Sequence, residues 1–412
     1  MGIIVQKFGG TSVGSVERIL KVAEQIITTK QKGNDVVVVV SAMGKSTDLL
    51  IETAKQICAE IPNREMDMLL STGELVSISL LAIALRSKGF SAISLTGWQA
   101  GILTDSFHSQ ARIEHVNNSK ILTHIDMGQI VIVAGFQGIT TFGEVTTLGR
   151  GGSDTTAVAL AASLNADLCE IYTDVDGVYS ADPRIVPSAR KIKRMTYDEM
   201  LELATLGAGV LHPRAVRCAK KYNVRLTVAS SFSNVQGTFI EEEAGMEKDY
   251  GICGVTYNED VVMIKIENFP NGADVLYSLF ALLMQSKITV DFINQSSNDL
   301  PLTNISFTVS KEDTKRTLEL LEENKERLEF NKVNAEFGAA KVSIVGTGLI
   351  SEPEIIANMF KAFASANVLI KMINSSEIKI SCIISAERLE TAVQYLHTTF
   401  GLDTKEIAVV HR

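Results

Sequence analysis

Apolar residues in the first half of the chain follow two periodicities in alternation. Residues 3–8 read as a short strand. After a glycine pair, Val16, Ile19, Leu20, Ala23, Ile26 and Ile27 recur at helical spacing, and positions 36–40 are five consecutive valines. A β-branched run with no polar position predicts a strand covered on both faces, as in a parallel sheet flanked by helices. Further strands are predicted at 92–95, 130–134, 169–173 and 225–229, separated by helical stretches at 64–88, 153–164 and 196–206. This order predicts an α/β fold, an αβα sandwich with a mostly parallel central sheet.

The pattern changes across residues 232–258, which are polar, acidic and glycine-bearing, and a domain boundary is expected there. Beyond it the chain repeats itself. A strand at 261–268, a helix at 272–285, strands at 289–295 and 303–310 and a helix at 311–328 are echoed by a strand at 341–347, a helix at 353–365, strands at 368–374 and 378–384 and a helix at 388–399. Two βαββαβ units follow, giving expected domains of 1–245, 246–338 and 339–412.

Composition narrows the class. At 412 residues, 46% hydrophobic, with a net charge of −9, the chain has globular composition and no basic footprint, so nucleic acid is not expected as a partner. The charge is uneven: 23 basic and 25 acidic residues up to 245, against 16 and 23 beyond. Cys58, Cys169, Cys218, Cys253 and Cys382 are odd in number and widely spaced, which suggests neither a disulfide framework nor a zinc site and fits a reducing compartment. The start, MGIIVQKFGG, has no charged region followed by an apolar one, and it lacks the Ser or Thr of a myristoylation signal. No run of about 18 uninterrupted apolar residues occurs, so a cytoplasmic protein without a membrane span is expected.

Three glycine-bearing clusters carry candidate phosphate chemistry. Lys7-Phe8-Gly9-Gly10-Thr11-Ser12 lies where the first strand meets the first helix; glycines let backbone N–H groups approach an anion, and Lys7 adds charge. Thr147-Leu148-Gly149-Arg150-Gly151-Gly152-Ser153-Asp154 places a guanidinium among glycines, suited to carboxylate or phosphate, although Ser153 or Asp154 could equally cap the next helix. The third cluster runs Thr173-Asp174-Val175-Asp176-Gly177-Val178-Tyr179-Ser180-Ala181-Asp182-Pro183-Arg184, at the end of a buried strand, where open α/β sheets bind ligands. A Walker A loop is excluded because Val39 stands at its first glycine position, and neither Gly207-Ala208-Gly209 nor Gly346-Thr347-Gly348 continues as a dinucleotide fingerprint.

KFGGTS at 7–12, STGE at 71–74, GRGGSD at 149–154, TDVDGVYSADPR at 173–184 and LHPRAV at 211–216 together resemble the aspartate kinases (aspartokinases) of the amino-acid kinase superfamily, in the short form with two C-terminal ACT (ferredoxin-like) units. The resemblance implies transfer of the γ-phosphoryl of ATP, carrying Mg2+, to the β-carboxylate of L-aspartate, the first step towards lysine, threonine, methionine and diaminopimelate. It assigns Lys7 to the transferring phosphate, Gly9 and Gly10 to backbone donation beside Phe8, and Asp154 to orienting Lys7. Ser41, Thr47, Glu74, Arg150, Gly151 and Ser153 would hold the acceptor, Glu74 taking its ammonium and Arg150 a carboxylate. Thr173, Asp174, Tyr179, Arg184 and Gly209 would hold the nucleotide, although many relatives carry Lys where Gly209 stands. No protein-bound metal site is implied.

Simpler roles compete with these: Glu74 as a solvated helix residue, Ser41 and Thr47 as helix caps, and His212 as a packing or capping residue. Trp98 and the methionines read as core filler. In the ACT units, resemblance implies effector binding at Asn271, Gly272, Ala273, Asp291 and Gln295, and at Asn374, Ser375, Ser376 and Glu377. It implies feedback by lysine, threonine or both through an ACT-joined homodimer, with residues 406–410 adding a strand to the first unit. Met246 could start a separate subunit in an α2β2 assembly. The alternatives are a kinase of glutamate, acetylglutamate, carbamate or a nucleotide, and an inactive amino-acid sensor.

Overall fold

The valine run lies at the centre of the first domain. In the computed structural model, which describes residues 2–58, 60–207, 209–233, 235–242, 251–296 and 301–403, strand Asp35–Val40 pairs in parallel with Ile3–Phe8 on one side and Ile130–Ala134 on the other. Its side chains divide by parity. Val37 and Val39 enter a core with Ala157, Val158, Met200 and Val216, whereas Val36, Val38 and Val40 enter a second core with Ile19, Val22, Ile78 and Leu81. Helices Gly152–Ser163, Tyr197–Leu206 and Pro213–Tyr222 cover one face; Val16–Gln31 and Asn63–Ser87 cover the other. Period-two alternation between two apolar layers therefore explains why no polar residue interrupts the run.

The sheet has eight strands, in the order Arg194–Met195, Thr238–Ile240, Leu226–Ser230, Leu168–Thr173, Ile3–Phe8, Asp35–Val40, Ile130–Ala134 and Ala92–Leu95. All its pairings are parallel except that of Leu226–Ser230 with Thr238–Ile240. The first strand is flanked by the second on one side and by Leu168–Thr173 on the other, so the chain reverses its direction of winding there. Ligand crevices open at such a reversal, beyond the carboxyl ends of the strands. A small four-stranded sheet of Ile113–Val116, Ile102–Thr104, Gln137–Ile139 and Val145–Thr147 stands beside this edge. Its strands are three or four residues long, too short for a periodicity to show in sequence.

Asn63–Ser87 is long and apolar enough to cross a membrane by composition. It is instead a core helix: Ile78, Leu81 and Leu85 are buried in the second core, and its buried positions include Asp67 and Glu74.

The second half forms one six-stranded antiparallel sheet, ordered Ile293–Gln295, Leu302–Val309, Gly251–Pro270, Lys332–Thr347, Lys379–Ser385 and Met372–Ser375. The two repeats are not separate in space. The long central strands cross between them: Gly251 to Asn258 pair with Thr347 to Lys341, while Met263 to Glu267 pair with Glu336 to Lys332. The second repeat thus takes residues 251–258 from ahead of the first, whereas 263–267 pair with 332–336 inside the first repeat's own expected span, and register shifts between Asn258 and Met263 mark the crossover. Residues 406–410 and Met246, named in the expectations for the regulatory half, lie outside the described residues. The regulatory half packs on the first domain through Tyr257, whose hydroxyl donates to Asp182 at 3.0 Å, and through Lys379, 2.9 Å from Glu202.

Candidate active site

The loops at the carboxyl ends of the first, second and fourth parallel strands, together with Asn63–Ser87 and the glycine-rich entrance of Gly152–Ser163, enclose a cleft of about 1150 Å3. It is lined by Lys7, Gly10, Ser41, Thr47, Glu74 and all of residues 147–154, among others. The first and second glycine clusters, far apart in sequence, therefore share one cavity.

Lys7 is the last residue but one of the first strand, and its ammonium is 2.6 Å from Asp154 Oδ1 in the first turn of Gly152–Ser163. Both side chains are almost buried. Asp154 does not cap its helix. The cap position is Gly151, at φ +67°, where an added Cβ would fall 2.2 Å from His212, so only glycine lets the loop pass. Gly10 is similarly forced: its Cβ would lie 2.8 Å from the Ala42 carbonyl oxygen. The Gly10 carbonyl in turn accepts from Gly44 N–H at 3.0 Å, which binds the first strand-end loop to the second. Phe8, by contrast, is buried in the core and stacked on Tyr172 with ring centroids 4.8 Å apart, so its side chain does not reach the cleft.

Glu74 is 3% exposed, not a solvated helix residue. Its Oε1 accepts from Ala42 N–H at 3.1 Å and its Oε2 is buried without a hydrogen-bond partner. Burial pushes its pKa up to about 8. A carboxyl held in this way accommodates a cation readily, because a positive group supplies both the missing partner and the missing charge. Ser41 and Thr47 line the same cleft and do not cap the following helix Ser46–Ile57, whose cap position is Lys45. Arg150 and the buried Ser153 line it too.

His212 caps Pro213–Tyr222, its Nδ1 accepting from Arg214 N–H at 3.3 Å, and burial holds its pKa below the ordinary value. Arg214 binds the carbonyls of Leu148 and Ala111, tying the glycine-rich loop to residue 111.

The residues expected to meet a nucleotide fall elsewhere. Tyr179 and Arg184 line a second cavity of about 730 Å3, whose wall also includes Gly207, Val210 and Tyr257. Tyr179 donates to Asp176 at 2.8 Å, and Arg184 is ion-paired with Asp182 at 2.6 Å. Asp174 and Gly209 are exposed, Gly209 at φ +63°, and Thr173 donates to Asp174 at 3.1 Å; none of the three lines either cavity. Of the expected effector residues, Gln295 donates to Asn271 at 3.1 Å beside Gly272, the cap position of the helix that starts at Ala273, whereas Asp291 is paired with Lys341. Asn374 and Ser375 are exposed on the opposite edge strand of the sheet, followed by Ser376 and Glu377 in a turn.

Sequence reading passed over Asp67, Phe107, Arg112 and Arg214. Asp67 had a signal: Asp67, Leu70, Ser71 and Glu74 are spaced as one helix face, and all four are buried. Phe107 and Arg112 come from a short loop with no pattern, and Arg214 lies in the first turn of Pro213–Tyr222, inside the LHPRAV motif but not singled out there.

Residues 2–230 match the family model described as amino acid kinase family, and residues 342–400 match an ACT domain model. The chain is 54% identical over 402 residues to an aspartokinase of Bacillus sp. (strain MGA3), covering 98% of each chain. Two solved structures of E. coli aspartokinase III, each 26% identical, align over 97% of this chain. One, in complex with aspartate and ADP (R-state), has a TM-score of 0.81 and is wholly covered; the other, with lysine and aspartate (T-state), has a TM-score of 0.77 and is 99% covered. With the catalytic-domain family matched over more than half of its length and an aspartokinase matched over nearly all of it, the chain belongs to the aspartokinases, kinases of the amino acid kinase family that carry an ACT regulatory region.

Proposed function

We propose that the enzyme transfers the γ-phosphoryl of ATP to the β-carboxylate of L-aspartate, giving 4-phospho-L-aspartate, the first step towards lysine, threonine, methionine and diaminopimelate. The observation that carries this reading is the buried, half-satisfied carboxyl of Glu74 in the same cleft as Lys7 and Arg150. That charge pattern suits an amino acid, with its ammonium on Glu74 and a carboxylate on Arg150, presented to an anion beside Lys7.

A carboxylate acceptor is ionised at neutral pH, since its ordinary pKa is about 4, so no general base is needed. Its oxygen forms a bond to the γ-phosphorus as the bond to the leaving ADP oxygen breaks, and no proton has to move. The protein's task is to align two anions and offset their charge. In this reading Lys7 neutralises the transferring group, Asp154 aims Lys7, and the backbone N–H of Gly10 donates to phosphate, that of Gly9 being given instead to the Tyr172 carbonyl at 3.2 Å; Ser41, Thr47, Gly151 and Ser153 bound the acceptor. The nucleotide is assigned to Thr173, Asp174, Tyr179, Arg184 and Gly209, at the same sheet edge. Arg184 must exchange Asp182 for phosphate or ribose to take part. Among the described residues no three acidic, histidine or cysteine side chains converge, so Mg2+ is assigned to the phosphates and water.

We assign residues 1–245 to catalysis and 246–338 and 339–412 to two interlocked ACT units. Lysine, threonine or both are the proposed feedback effectors, and the complex of a relative with lysine supports the first. A homodimer through the ACT sheets fits the exposed Ile293 and Ile373 on its two edge strands. An internal start at Met246 would make the assembly α2β2. The free cysteines fit the cytoplasm.

The test is to incubate the enzyme with ATP, Mg2+ and candidate amino acids and trap acyl phosphate with hydroxylamine. Aspartyl hydroxamate is the expected product. Another hydroxamate would move the substrate, and none with any amino acid would overturn the reading.

A further inference from the structure

Asp67 is fully buried near the start of Asn63–Ser87, two helical turns before Glu74, and does not line the cleft. Its carboxylate is crowded with donors. Thr147 gives its hydroxyl to Oδ1 at 2.6 Å and its N–H to Oδ2 at 3.0 Å. Ser109 N–H lies 3.0 and 2.9 Å from the two oxygens, and His108 Nδ1 lies 3.0 Å from Oδ2. Ser109 is held at φ +70°, a left-handed conformation that a serine rarely adopts unless its surroundings impose it.

These partners do line the cleft. Ser109 and Thr147 are both part of its wall, and Thr147 leads directly into Leu148-Gly149-Arg150. The two segments also touch each other: a Cβ on Gly149 would lie 3.0 Å from the Ser109 carbonyl oxygen. The Ala111 N–H donates to the Thr147 carbonyl at 3.0 Å and Arg214 bridges Ala111 and Leu148, so the two segments form one wall, and this one carboxylate anchors that wall to the helix that carries Glu74. Hydrogen bonds to an ionised acceptor are short and strong, and a rigid helix transmits their geometry.

We propose that Asp67 is a positioning residue for the phosphoryl acceptor: it fixes the wall bearing Arg150 relative to Glu74, so that the two ends of a bound amino acid meet both groups at once. This rests on the reading that Arg150 and Glu74 hold the acceptor. Nothing in the clamp touches the second cavity, where Tyr179 and Arg184 lie, so its loss acts on the acceptor and not on the nucleotide.

The experiment uses the full-length enzyme and steady-state kinetics in both substrates for Asp67→Asn, Thr147→Val and Arg150→Ala. Losing a charged hydrogen-bond acceptor predicts an aspartate KM raised about tenfold in Asp67→Asn and about threefold in Thr147→Val, with the ATP KM within about twofold of wild type. A purely structural role would lower the active fraction, reducing kcat with both KM values unchanged, and that result overturns the proposal, as does an equal rise in both KM values. Thr147→Val leaves Asp67 in place and decides the matter if Asp67→Asn does not fold. If Arg150→Ala leaves the aspartate KM unchanged, the acceptor reading itself fails, and the proposal with it. A raised KM in Arg150→Ala beside unchanged values in the other two overturns the proposal alone.

Discussion

Lys7 and Asp154, 147 positions apart, meet at 2.6 Å with both side chains almost buried. The ammonium is delivered by the end of a parallel strand and the carboxylate by the first turn of a helix, where the helix dipole also favours the negative charge. Breaking such a pair from either side leaves a buried charge without its partner.

In the proposed mechanism Lys7 is the main side-chain charge on the transferring phosphoryl, because Gly209 offers no side chain to share it. Lys7→Ala is therefore expected to cost at least ~3 kcal/mol of transition-state stabilisation, a loss of about a hundredfold or more in kcat/KM. Near-normal turnover in that variant would remove the assignment.

The raised pKa of Glu74, about 8, makes acceptor binding pH-dependent. The free site is largely protonated at neutral pH, and an incoming ammonium needs the ionised form. The KM for aspartate should fall as pH rises towards 8, by up to about tenfold per unit below the pKa, and Glu74→Gln should flatten the profile while raising KM. A flat profile in the wild type would contradict the assignment.

Glu74 has a second consequence, for stability. Its folded pKa is raised above the ordinary 4.5, so between these values the folded state holds the proton that the unfolded state has lost. Stability contributed by Glu74 is complete below the unfolded pKa and falls as pH rises towards the folded one. Glu74→Gln cannot ionise. In urea titrations it should gain on the wild type across that window by up to about 1.4 kcal/mol per pH unit, then hold a constant advantage. An advantage that shrinks with rising pH would show that Glu74 is not desolvated.

Gly73 offers a test that removes no functional group. Its added Cβ would lie 2.8 Å from Ala42 Cβ, so Gly73→Ala must push the helix bearing Glu74 away from the loop whose N–H it binds. Overpacking of this kind costs about 1–3 kcal/mol. The expected result is a lower melting temperature together with a raised KM for aspartate and little change for ATP. An aspartate KM equal to wild type would mean that the contact with Ala42 does not set the acceptor site.

Regulation is tested by titrating lysine and threonine, alone and together, against the rate of phosphoryl transfer. Inhibition by one, or by the pair in concert, is expected. Substitution of Asn271 or Gln295, which hydrogen-bond to each other at the start of helix Ala273–Gln285, should weaken it without changing the uninhibited rate. No inhibition in any combination would discard the feedback proposal.

Much of the fold was legible in the chain because it is written in local pattern. The five valines announce a strand with apolar neighbours above and below, and the structure places alternate members in two different cores. The glycine clusters were legible for the same reason: a position that needs positive φ or close backbone approach tolerates little else, as Gly151 and Gly10 show. Asp67 was overlooked although its helical spacing with Glu74 marked it as buried, because a lone acidic residue gives no sign of the donors it will meet. The three-residue strands beside the cleft were too short to show a period.

What the sequence determined by itself, then, is which residues must turn, which must be covered, and the family to which the chain belongs. Tertiary structure alone decided which distant groups meet: Lys7 with Asp154, Glu74 with the Ala42 N–H, and Asp67 with Ser109 and Thr147. It also decided that the second regulatory repeat takes a strand from the segment of the first and that both form one sheet. The physical reason is that backbone preference and amphipathic period act over a few residues. Pairings across a sheet are set instead by strand order and by the collective packing of two cores, which no local spacing records.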